Sequence, residues 1–410
     1  MLAISFTWLA VLPWIIVVQW LIQLGMLLNG IRNRQILRAS IPVPPRDTVP
    51  RLTVLVAARN EEDCIETCLR SLARQDHPNF EIIAINDRSS DGTANIMDRL
   101  AKEFPGRLRV VHIHSLPAGW FGKAHALQVG MQSATGDWVC FSDADCEQLS
   151  NHTLSLATHE ALERGVDLLT LTPQFTMKSV WEKITVPVCS WLMMVWFQPT
   201  RVNNPRLRTS YANGAFMLMT RACYDSVGGW SQFRARISED VAFARAAKST
   251  GSRLVVLQNE GLYRARMYDS IRDSWNGWSR IFYGTLPKTA LVLSTIRLVA
   301  CSILPTWGLL LAIADWWLTP SEAAFPWDAA LVGWMAVVVV QQIHAALTFR
   351  VVGTHVAWSL TAPIGHVILL GMLIRVLLGH LGLTTMQWSG AIFYRGRITQ
   401  PVLIPVSTRS

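Results

Sequence analysis

The sequence predicts an α/β domain flanked by transmembrane helices, and three observations support this fold class. The 410 residues are 51% hydrophobic and only 16% charged and include 18 Trp, a composition typical of a membrane protein with aromatic residues at its interfaces. Residues 289–383 carry few charges, whereas residues 32–288 are as charged as a soluble domain. Within this polar middle, short apolar segments that favour strands alternate with helical segments.

The first apolar segment, residues 8–28, is long enough to span a bilayer. It lacks a basic start and a small-residue cleavage site, so residues 1–30 are predicted to form an anchor and not a cleaved signal peptide. Basic residues follow at once, namely Arg32, Arg34, Arg38 and Arg46. By the positive-inside rule they predict that the following domain lies in the cytoplasm. Residues 41–45 read Ile-Pro-Val-Pro-Pro, which predicts a short stiff linker.

The polar middle, residues 50–285, is predicted to form a doubly wound α/β domain. Strands are predicted at residues 52–57, 80–86, 107–112, 138–142, 214–219 and 253–258. Helices are predicted at residues 59–74, 94–103 and 123–133, with another beginning near 237–240. This alternation implies parallel strands with right-handed crossovers. The ligand is then expected at the carboxyl ends of the strands.

The apolar segment at residues 184–197 is too short to span a bilayer. A buried core segment and a segment lying in the membrane interface are the alternatives. Its two tryptophans, with Arg201 just beyond, favour the interface.

Three more spans are predicted within residues 286–385, at 290–311, 329–347 and 356–378. Acidic residues suit an outside loop between the first two, namely Asp315, Glu322 and Asp328. Arg350 suits an inside loop before the third. This topology leaves the tail, residues 386–410, outside, yet it carries basic residues that favour the inside, namely Arg395, Arg397 and Arg409.

The net charge of +9 does not indicate nucleic-acid binding, because no basic cluster is interleaved with aromatic residues. Basic residues beside membrane segments indicate cytoplasmic flanks and anionic lipid. The seven cysteines form no Cys-x-x-Cys pair, which indicates reduced thiols and no disulfide framework.

Two carboxylates, Asp143 and Asp145, follow the predicted strand at residues 138–142. Residues i and i+2 of a strand share a face, so both side chains can point beyond its carboxyl end. Such a pair suits a divalent cation that keeps some waters and binds the phosphates of a substrate. A solvated Asp pair in a turn is the alternative.

The strand ends also carry motifs that resemble those of family 2 glycosyltransferases with a GT-A fold, over residues 51–284. The motifs are Val56-Ala-Ala-Arg-Asn-Glu-Glu62, Asn86-Asp-Arg-Ser-Ser-Asp-Gly-Thr93, Gly119-Trp-Phe-Gly-Lys-x-x-Ala126, Asp143-Ala-Asp145 and Ser238-Glu-Asp240. Their consistent order is more specific than any single motif. One amino-terminal span with several carboxy-terminal spans resembles the lipid-acting branch, including hopene-associated, carotenoid and ceramide-type enzymes.

The resemblance implies a nucleotide-sugar site. It places Ala57, Arg59 and Glu61 near the base and ribose, and Asp87 at an N–H of the base, with Asp91 beside it. It also places a lysine, Lys123, near the diphosphate or base. Alternatively, Asp87 and Asp91 cap a turn, and Lys123 is an exposed lysine at the start of a helix.

For the chemistry, the resemblance implies that Asp143 and Asp145 bind Mg²⁺ or Mn²⁺ on the diphosphate, with Asp145 the more direct ligand. Asp240 would be the general base, and Glu239 would support it. A helix start charged to suit its dipole is the alternative for this second pair. One base and direct displacement predict inversion at the anomeric carbon.

The sequence lacks the Gln-x-x-Arg-Trp motif of processive family members. Arg266 and Arg280 are candidates for the diphosphate, and Trp275 or Trp278 is a candidate for stacking near the acceptor. A membrane-facing amphipathic helix with aromatic anchors is the alternative. The missing motif favours a single transfer to a lipid over extrusion of a polymer.

The sequence therefore predicts a metal-dependent, inverting glycosyltransferase that moves a sugar, expected to be a UDP-linked hexose, to a lipid hydroxyl at the cytoplasmic membrane surface. Its partners would be the nucleotide sugar, the lipid acceptor and the bilayer, with no nucleic acid. A polysaccharide synthase and a catalytically inactive membrane scaffold with a nucleotide-binding fold are the alternatives.

Overall fold

The computed structural model of the protein describes residues 2–42, 49–268, 270–318, 327–388, 391–394 and 397–401. They form two compact units. The helical unit comprises Met1–Asn33, Met177–Trp196 and Tyr268–Leu383, and the α/β unit comprises Arg34–Thr176, Phe197–Met267 and Thr384–Ser410. Some predicted features lie outside the described residues or side chains, namely linker residues 43–45, Arg46, Asp315, Glu322, Asp328, Arg395, Arg397 and Arg409.

The secondary structure follows the predicted alternation. The strands are β1 Ile36–Arg38, β2 Leu52–Ala58, β3 Phe80–Asp87, β4 Leu108–Ile113, β5 Trp138–Asp143, β6 Cys146–Gln148, β7 Leu168–Thr172, β8 Gln174–Phe175, β9 Phe216–Thr220, β10 Leu254–Glu260, β11 Tyr263–Ala265, β12 Met386–Trp388, β13 Ala391–Tyr394 and β14 Arg397–Pro401. The α-helices are α1 Leu2–Arg32, α2 Ile65–Ala73, α3 Thr93–Glu103, α4 Gly122–Ser133, α5 Thr153–Glu163, α6 Val180–Trp196, α7 Pro199–Val202, α8 Arg221–Ser226, α9 Glu239–Ser249, α10 Ile271–Thr285, α11 Lys288–Leu298, α12 Leu304–Leu318, α13 Trp327–Val352 and α14 Ala362–Leu381. Short 3₁₀ segments cover Trp230–Phe233 and Val356–Thr361, and a π-helical segment covers Val299–Ile303.

An eight-stranded sheet in the order β1-β10-β7-β9-β5-β2-β3-β4 organises the α/β unit. The smaller sheets have the orders β6-β11-β8 and β12-β13-β14. Neighbouring strands of the large sheet are parallel except β9, which runs antiparallel to β5 and β7. The prediction of parallel pairing is wrong for this strand. Asn213, just before β9, donates its backbone N–H to the hydroxyl of Thr170, midway along β7. From there β9 runs back toward the amino end of β7, since Met217 pairs with Thr170 and Met219 with Leu168.

Both faces of this sheet are buried, as expected for helices on two sides. Val54 and Val56 of β2 lie on one face with Leu69 of α2 and Met97 of α3. Leu55 of the same strand points to the opposite face, where residues of α4 and α9 pack. This two-sided burial fixes the carboxyl ends of β2, β3 and β5 at one edge of the sheet.

The segment after β2 differs from its prediction, because α2 begins at Ile65 and not at Arg59. Asn60 has a φ of 57°, and its side-chain oxygen accepts a hydrogen bond from the Ser90 N–H at 2.8 Å. The Glu61 N–H donates to the Thr93 hydroxyl at 2.8 Å. Residues 60 and 61 are thus hydrogen-bonded to the loop after β3 and not within a helix. For this reason residues 60–63 form a loop at the sheet edge.

The helical unit contains the predicted spans. Among the described residues, four helices are long and apolar enough to cross a membrane, namely Val11–Arg32, Lys288–Ala314, Ala330–Val352 and Val356–Leu381. Large apolar side chains such as Ile22 (59% exposed) and Leu311 (68% exposed) face outward. Such faces suit a lipid surface better than water. In α6 the side chains of Ile184, Val188 and Leu192 are buried, and a place for this helix in the membrane interface stays a prediction.

Candidate active site

The predicted acids lie at the carboxyl edge of the large sheet. Asp143 is the last residue of β5, and Asp145 lies two residues further on, in the turn before β6. Lys123 stands in the first turn of α4, and Glu239 and Asp240 are the first two residues of α9. Residues that are about a hundred positions apart in the sequence therefore approach one edge.

The ammonium group of Lys123 is the centre of this arrangement. It forms an ion pair with Asp143, and Glu239 Oε1 lies 3.4 Å from its Nζ atom. A Cβ atom added to Gly214 would lie 3.0 Å from Lys123 Nζ, 3.5 Å from Asp240 Oδ2 and 3.7 Å from Asp143 Oδ2. The structure thus brings the strand-end carboxylate, the lysine and both residues at the start of α9 together around one small volume.

Gly214 holds Asp240 in place and was missed by the sequence analysis. Its backbone N–H donates to Asp240 Oδ2 at 3.0 Å, and the Val241 N–H donates to Asp240 Oδ1 at 2.7 Å. A side chain at Gly214 would crowd the lysine, so the space is kept open by a residue without one. The only signal in the sequence is the Asn-Gly pair, Asn213 and Gly214, at the start of the strand predicted at residues 214–219.

Burial and neighbouring charges perturb the acids. Burial, followed by the nearby Asp143 and Glu61 carboxylates, raises the pKa of Asp145 to about 7. Burial, followed by Glu239, raises the pKa of Asp240 to about 6. Burial lowers the pKa of Lys123, but the carboxylates of Asp143 and Glu239 outweigh it and raise that pKa well above its usual value. The Lys123 ammonium therefore stays charged. It does not fully neutralise the surrounding carboxylates, because the pKa values of Asp145 and Asp240 remain raised.

Because the carboxylates are not fully neutralised, a divalent cation suits this site. Among the described residues, no group of three or more His, Cys, Asp or Glu side chains is arranged to hold a metal ion. Mg²⁺ and Mn²⁺ at nucleotide sites need only one or two carboxylates, because phosphate oxygens and water complete the shell. Asp143 and Asp145 fit such a cation, since it would relieve the charge that raises the pKa of Asp145. Burial raises the pKa of the thiols of Cys64 and Cys68, which disfavours thiolate ligands.

The residues predicted to contact the nucleotide lie along the same edge. Ala57 of β2 pairs with Asp143 of β5. Burial raises the pKa of Glu61, and its Oε2 atom lies 3.1 Å from Cys64 Sγ. Burial lowers the pKa of Arg59, which lies near Arg88 and Asp87. Arg59 and Glu61 are thus partly buried, and contact of these residues with a nucleotide stays a prediction.

Asp87, the last residue of β3, and Asp91, in the loop after it, make hydrogen bonds within the protein. Asp87 is 3% exposed and accepts from its neighbour Arg88 at 2.8 Å and 3.0 Å. Asp91 accepts from the backbone N–H groups of Thr93 at 3.1 Å and Glu62 at 3.2 Å. Asp91 therefore makes the turn-capping contacts of its alternative interpretation, and contact with a nucleotide stays a prediction for both residues.

The remaining candidates are divided between the units. Arg266 follows β11 in the α/β unit, whereas Trp278 and Arg280 lie on α10 of the helical unit. The indole of Trp278 is 3% exposed and stacks on Phe282 with ring centroids 5.7 Å apart. This ring packs inside the helical unit, and the roles of Arg266, Trp278 and Arg280 stay predictions.

Comparisons with known proteins agree with this geometry. Residues 50–268, more than half of the chain, match the family model described as Glycosyltransferase like family 2. A β-monoglucosyldiacylglycerol synthase of Trichormus variabilis is 30% identical over 190 residues, 45% of this chain and 39% of that protein. A 4,4'-diaponeurosporenoate glycosyltransferase of Staphylococcus aureus is 28% identical over 250 residues, 59% of this chain and 65% of that protein. The chain thus spans less than two thirds of either relative.

Solved structures extend the comparison to the fold. A mannosyltransferase of Pyrobaculum calidifontis, solved in complex with GDP-Man and Mn²⁺, superimposes with a TM-score of 0.53 at 18% identity. The match covers 88% of this chain and 99% of that one. At this level of identity the likeness shows a shared fold.

Proposed function

The chain belongs to glycosyltransferase-like family 2 and has the predicted GT-A fold, and on this premise we propose that it transfers a sugar from a nucleotide diphosphate to the hydroxyl of a membrane lipid. The donor is proposed to be a UDP-hexose. The observation that carries the proposal is the convergence of Lys123, Asp143, Glu239 and Asp240 around the open volume at Gly214.

In the proposed reaction, Asp240 is the general base. Each of its oxygens accepts one backbone N–H, which leaves a lone pair on each for the acceptor. The carboxylate takes the proton of the lipid hydroxyl, whose oxygen bonds to the anomeric carbon as the bond to the diphosphate breaks. The electron pair leaves with the nucleoside diphosphate, and attack opposite the leaving group inverts the anomeric centre. A pKa of about 6 keeps Asp240 ionised at neutral pH and still basic enough to accept a proton.

The donor is proposed to lie along the sheet edge. Lys123 would bind the diphosphate as a point charge. Its ammonium group would exchange its ion pair with Asp143 for contacts to phosphate oxygens and would then lie beside the leaving group. Mg²⁺ or Mn²⁺ held by Asp143 and Asp145 would neutralise charge on the departing diphosphate. The other proposed nucleotide-sugar contacts are Ala57, Arg59, Glu61, Asp87, Asp91, Arg266, Trp278 and Arg280.

A lipid acceptor is supported by the helical unit and by the relatives. In the part of the chain that the structure describes, four helices carry exposed apolar faces long enough for a bilayer. The relatives' names specify a glucosylated diacylglycerol and a diaponeurosporenoate, both water-insoluble compounds. Basic residues directly after α1, Arg34 and Arg38, favour a cytoplasmic α/β unit by the positive-inside rule.

The test is a transfer assay with the full chain in lipid nanodiscs. Radiolabelled UDP-glucose, UDP-N-acetylglucosamine and GDP-mannose would each be supplied with Mn²⁺ and a total membrane-lipid extract. The proposal expects one discrete labelled product that extracts into organic solvent, and Asp240→Asn should abolish it. A labelled polymer in the aqueous phase would instead identify a polysaccharide synthase. Donor binding without any labelled product, with every donor and lipid class, would identify an inactive scaffold.

A further inference from the structure

A cluster of polar side chains lies inside the helical unit, around a cavity of about 40 Å³. We propose that this cavity binds the anionic oxygens of a lipid, a carboxylate or a phosphate, with Arg297 as the counter-charge. The lining is apolar on α6 and mostly apolar on α14, which contributes His366, and it is polar where α1, α11 and α13 meet, with Gln23, Arg297 and His344 as its main polar groups. The proposal concerns the helical unit and is independent of sugar transfer.

Arg297 lies deep in a span. It is nine residues from Lys288, the start of Lys288–Ala314, which at 1.5 Å per residue places it about 14 Å along a helix that must cross a core of about 30 Å. No ion pair joins it to a carboxylate among the described side chains. The described acids of this unit are engaged elsewhere, because Glu182 accepts from the Lys178 and Ser179 N–H groups and Asp273 accepts from Ser270. A cation within a membrane span is costly without a counter-charge, so an anion from outside the chain is expected.

Further polar atoms at the cavity lack partners. Gln23 Oε1, His344 Nε2 and Thr348 Oγ1 are buried and accept or donate no hydrogen bond among the residues that the structure describes. The residues are only 4%, 3% and 3% exposed. The ring of His344 is fixed by edge contacts with Trp20 and Trp191, at centroid distances of 5.0 Å and 4.3 Å. Buried polar groups rarely stay unpaired, and His344 Nε2 and Thr348 Oγ1 can each donate a hydrogen bond to an anionic oxygen in the cavity.

The backbone next to Arg297 is shaped for the same cavity. The π-helical segment Val299–Ile303 begins two residues after Arg297, and such segments often mark functional sites. The Cys301 carbonyl accepts from the indole of Trp20 at 2.6 Å, and the Ser302 carbonyl accepts from Gln341 at 3.2 Å. Side chains from α1 and α13 thus satisfy two carbonyls of the π-helical segment beside Arg297, which lines the cavity.

The size of the cavity limits its occupant. One buried water needs a cavity of about 10–15 Å³, so this cavity of about 40 Å³ holds roughly three water-sized groups. This matches the atoms of one carboxylate or a closely packed phosphate, but not a sugar. A charged group at this depth is most easily supplied by a lipid whose chains lie against the apolar outer faces of the helices. A free oxyanion would have to leave water to reach it.

The test measures binding of anionic lipid to the full chain in detergent by native mass spectrometry. The probes are dioleoyl phosphatidic acid, oleate, dioleoyl phosphatidylcholine and inorganic phosphate. The wild type is expected to bind one copy of phosphatidic acid or oleate in preference to phosphatidylcholine. Arg297→Gln should weaken this binding about tenfold or more, because a charge-assisted contact is lost. Arg297→Lys should retain most of it.

Arg350→Gln is the matched control, because Arg350 is an exposed arginine in the last turn of α13. It should leave the tight binding within about twofold. An equal loss in both variants, equal binding of phosphatidylcholine, or equal binding of inorganic phosphate would overturn the proposal. Since none of the described carboxylates pairs with Arg297, Arg297→Gln should also unfold in phosphatidylcholine nanodiscs at or above the wild-type temperature. If Arg297→Gln unfolds at a lower temperature, Thr348→Val decides between a ligand site and an internal role. A loss of lipid binding of about threefold or more in Thr348→Val supports the site, and unchanged binding overturns it.

Discussion

Replacing Asp240 with asparagine separates the proposed chemistry from folding and from donor binding. The change keeps the size of the side chain and removes its charge and basicity. General-base catalysis contributes about 10²- to 10⁴-fold, so the transfer rate should fall by that factor, equivalent to about 3–5 kcal/mol of barrier. Donor affinity should change little, because Asp240 is proposed to contact the acceptor and not the diphosphate.

The structure also sets the expected stability of this variant. A rise in the pKa of Asp240 from 3.8 to about 6 means that folding disfavours its ionised form by up to about 3 kcal/mol at neutral pH. Asparagine removes that penalty, but its amide can accept only one of the hydrogen bonds from Gly214 and Val241, which costs about 1–3 kcal/mol. These effects nearly cancel, so the variant should be inactive and about as stable as the wild type.

The assay combines single-turnover transfer of radiolabelled sugar with thermal unfolding and donor titration on the same nanodisc preparation. Asp225→Asn is the matched control, since this exposed carboxylate lies on α8 of the same unit and should leave all three quantities unchanged. Transfer by Asp240→Asn at more than a tenth of the wild-type rate would refute its role as the base. A large loss of donor affinity at unchanged stability would instead assign Asp240 to the donor.

Three further predictions concern the same site. The transfer rate should fall about tenfold per pH unit below pH 6, because the raised pKa of Asp240 leaves its basic form in the minority there, and a flat profile between pH 4.5 and 6 would contradict this. Affinity for Mn²⁺ in the presence of nucleotide, measured by calorimetry, should weaken as the pH falls through 7, because protons compete with the metal for Asp145. Asp145→Ala should abolish both this affinity and its pH dependence. An unchanged metal titration in that variant would refute the assignment of Asp145 as a ligand. Lys123→Met should lower nucleotide affinity about tenfold and stability by about 2 kcal/mol, since Asp143 and Glu239 lose their cation; an unchanged unfolding temperature would show that this ion pair contributes little.

The sequence by itself determined the features that depend on local composition and spacing. The apolar lengths of the membrane spans follow from the constant rise of a helix, and the burial of Val54, Leu55 and Val56 follows from the alternation of a strand. The motifs of the strand ends also identified the family, because their order along the chain survives where overall identity is low.

Only the tertiary structure decided how these parts meet. The antiparallel direction of β9 depends on where the chain re-enters the sheet, and no residue within Phe216–Thr220 encodes that. The same re-entry places Gly214 between Lys123 and Asp240, so the open volume of the candidate site arises from a connection and not from a motif. The cavity around Arg297 likewise requires helices that are far apart in the sequence. Local sequence patterns determine which side chains are buried in a helix or strand. Ion pairs and cavities instead depend on distances between segments that are far apart in the sequence, and these distances are fixed only when the chain folds.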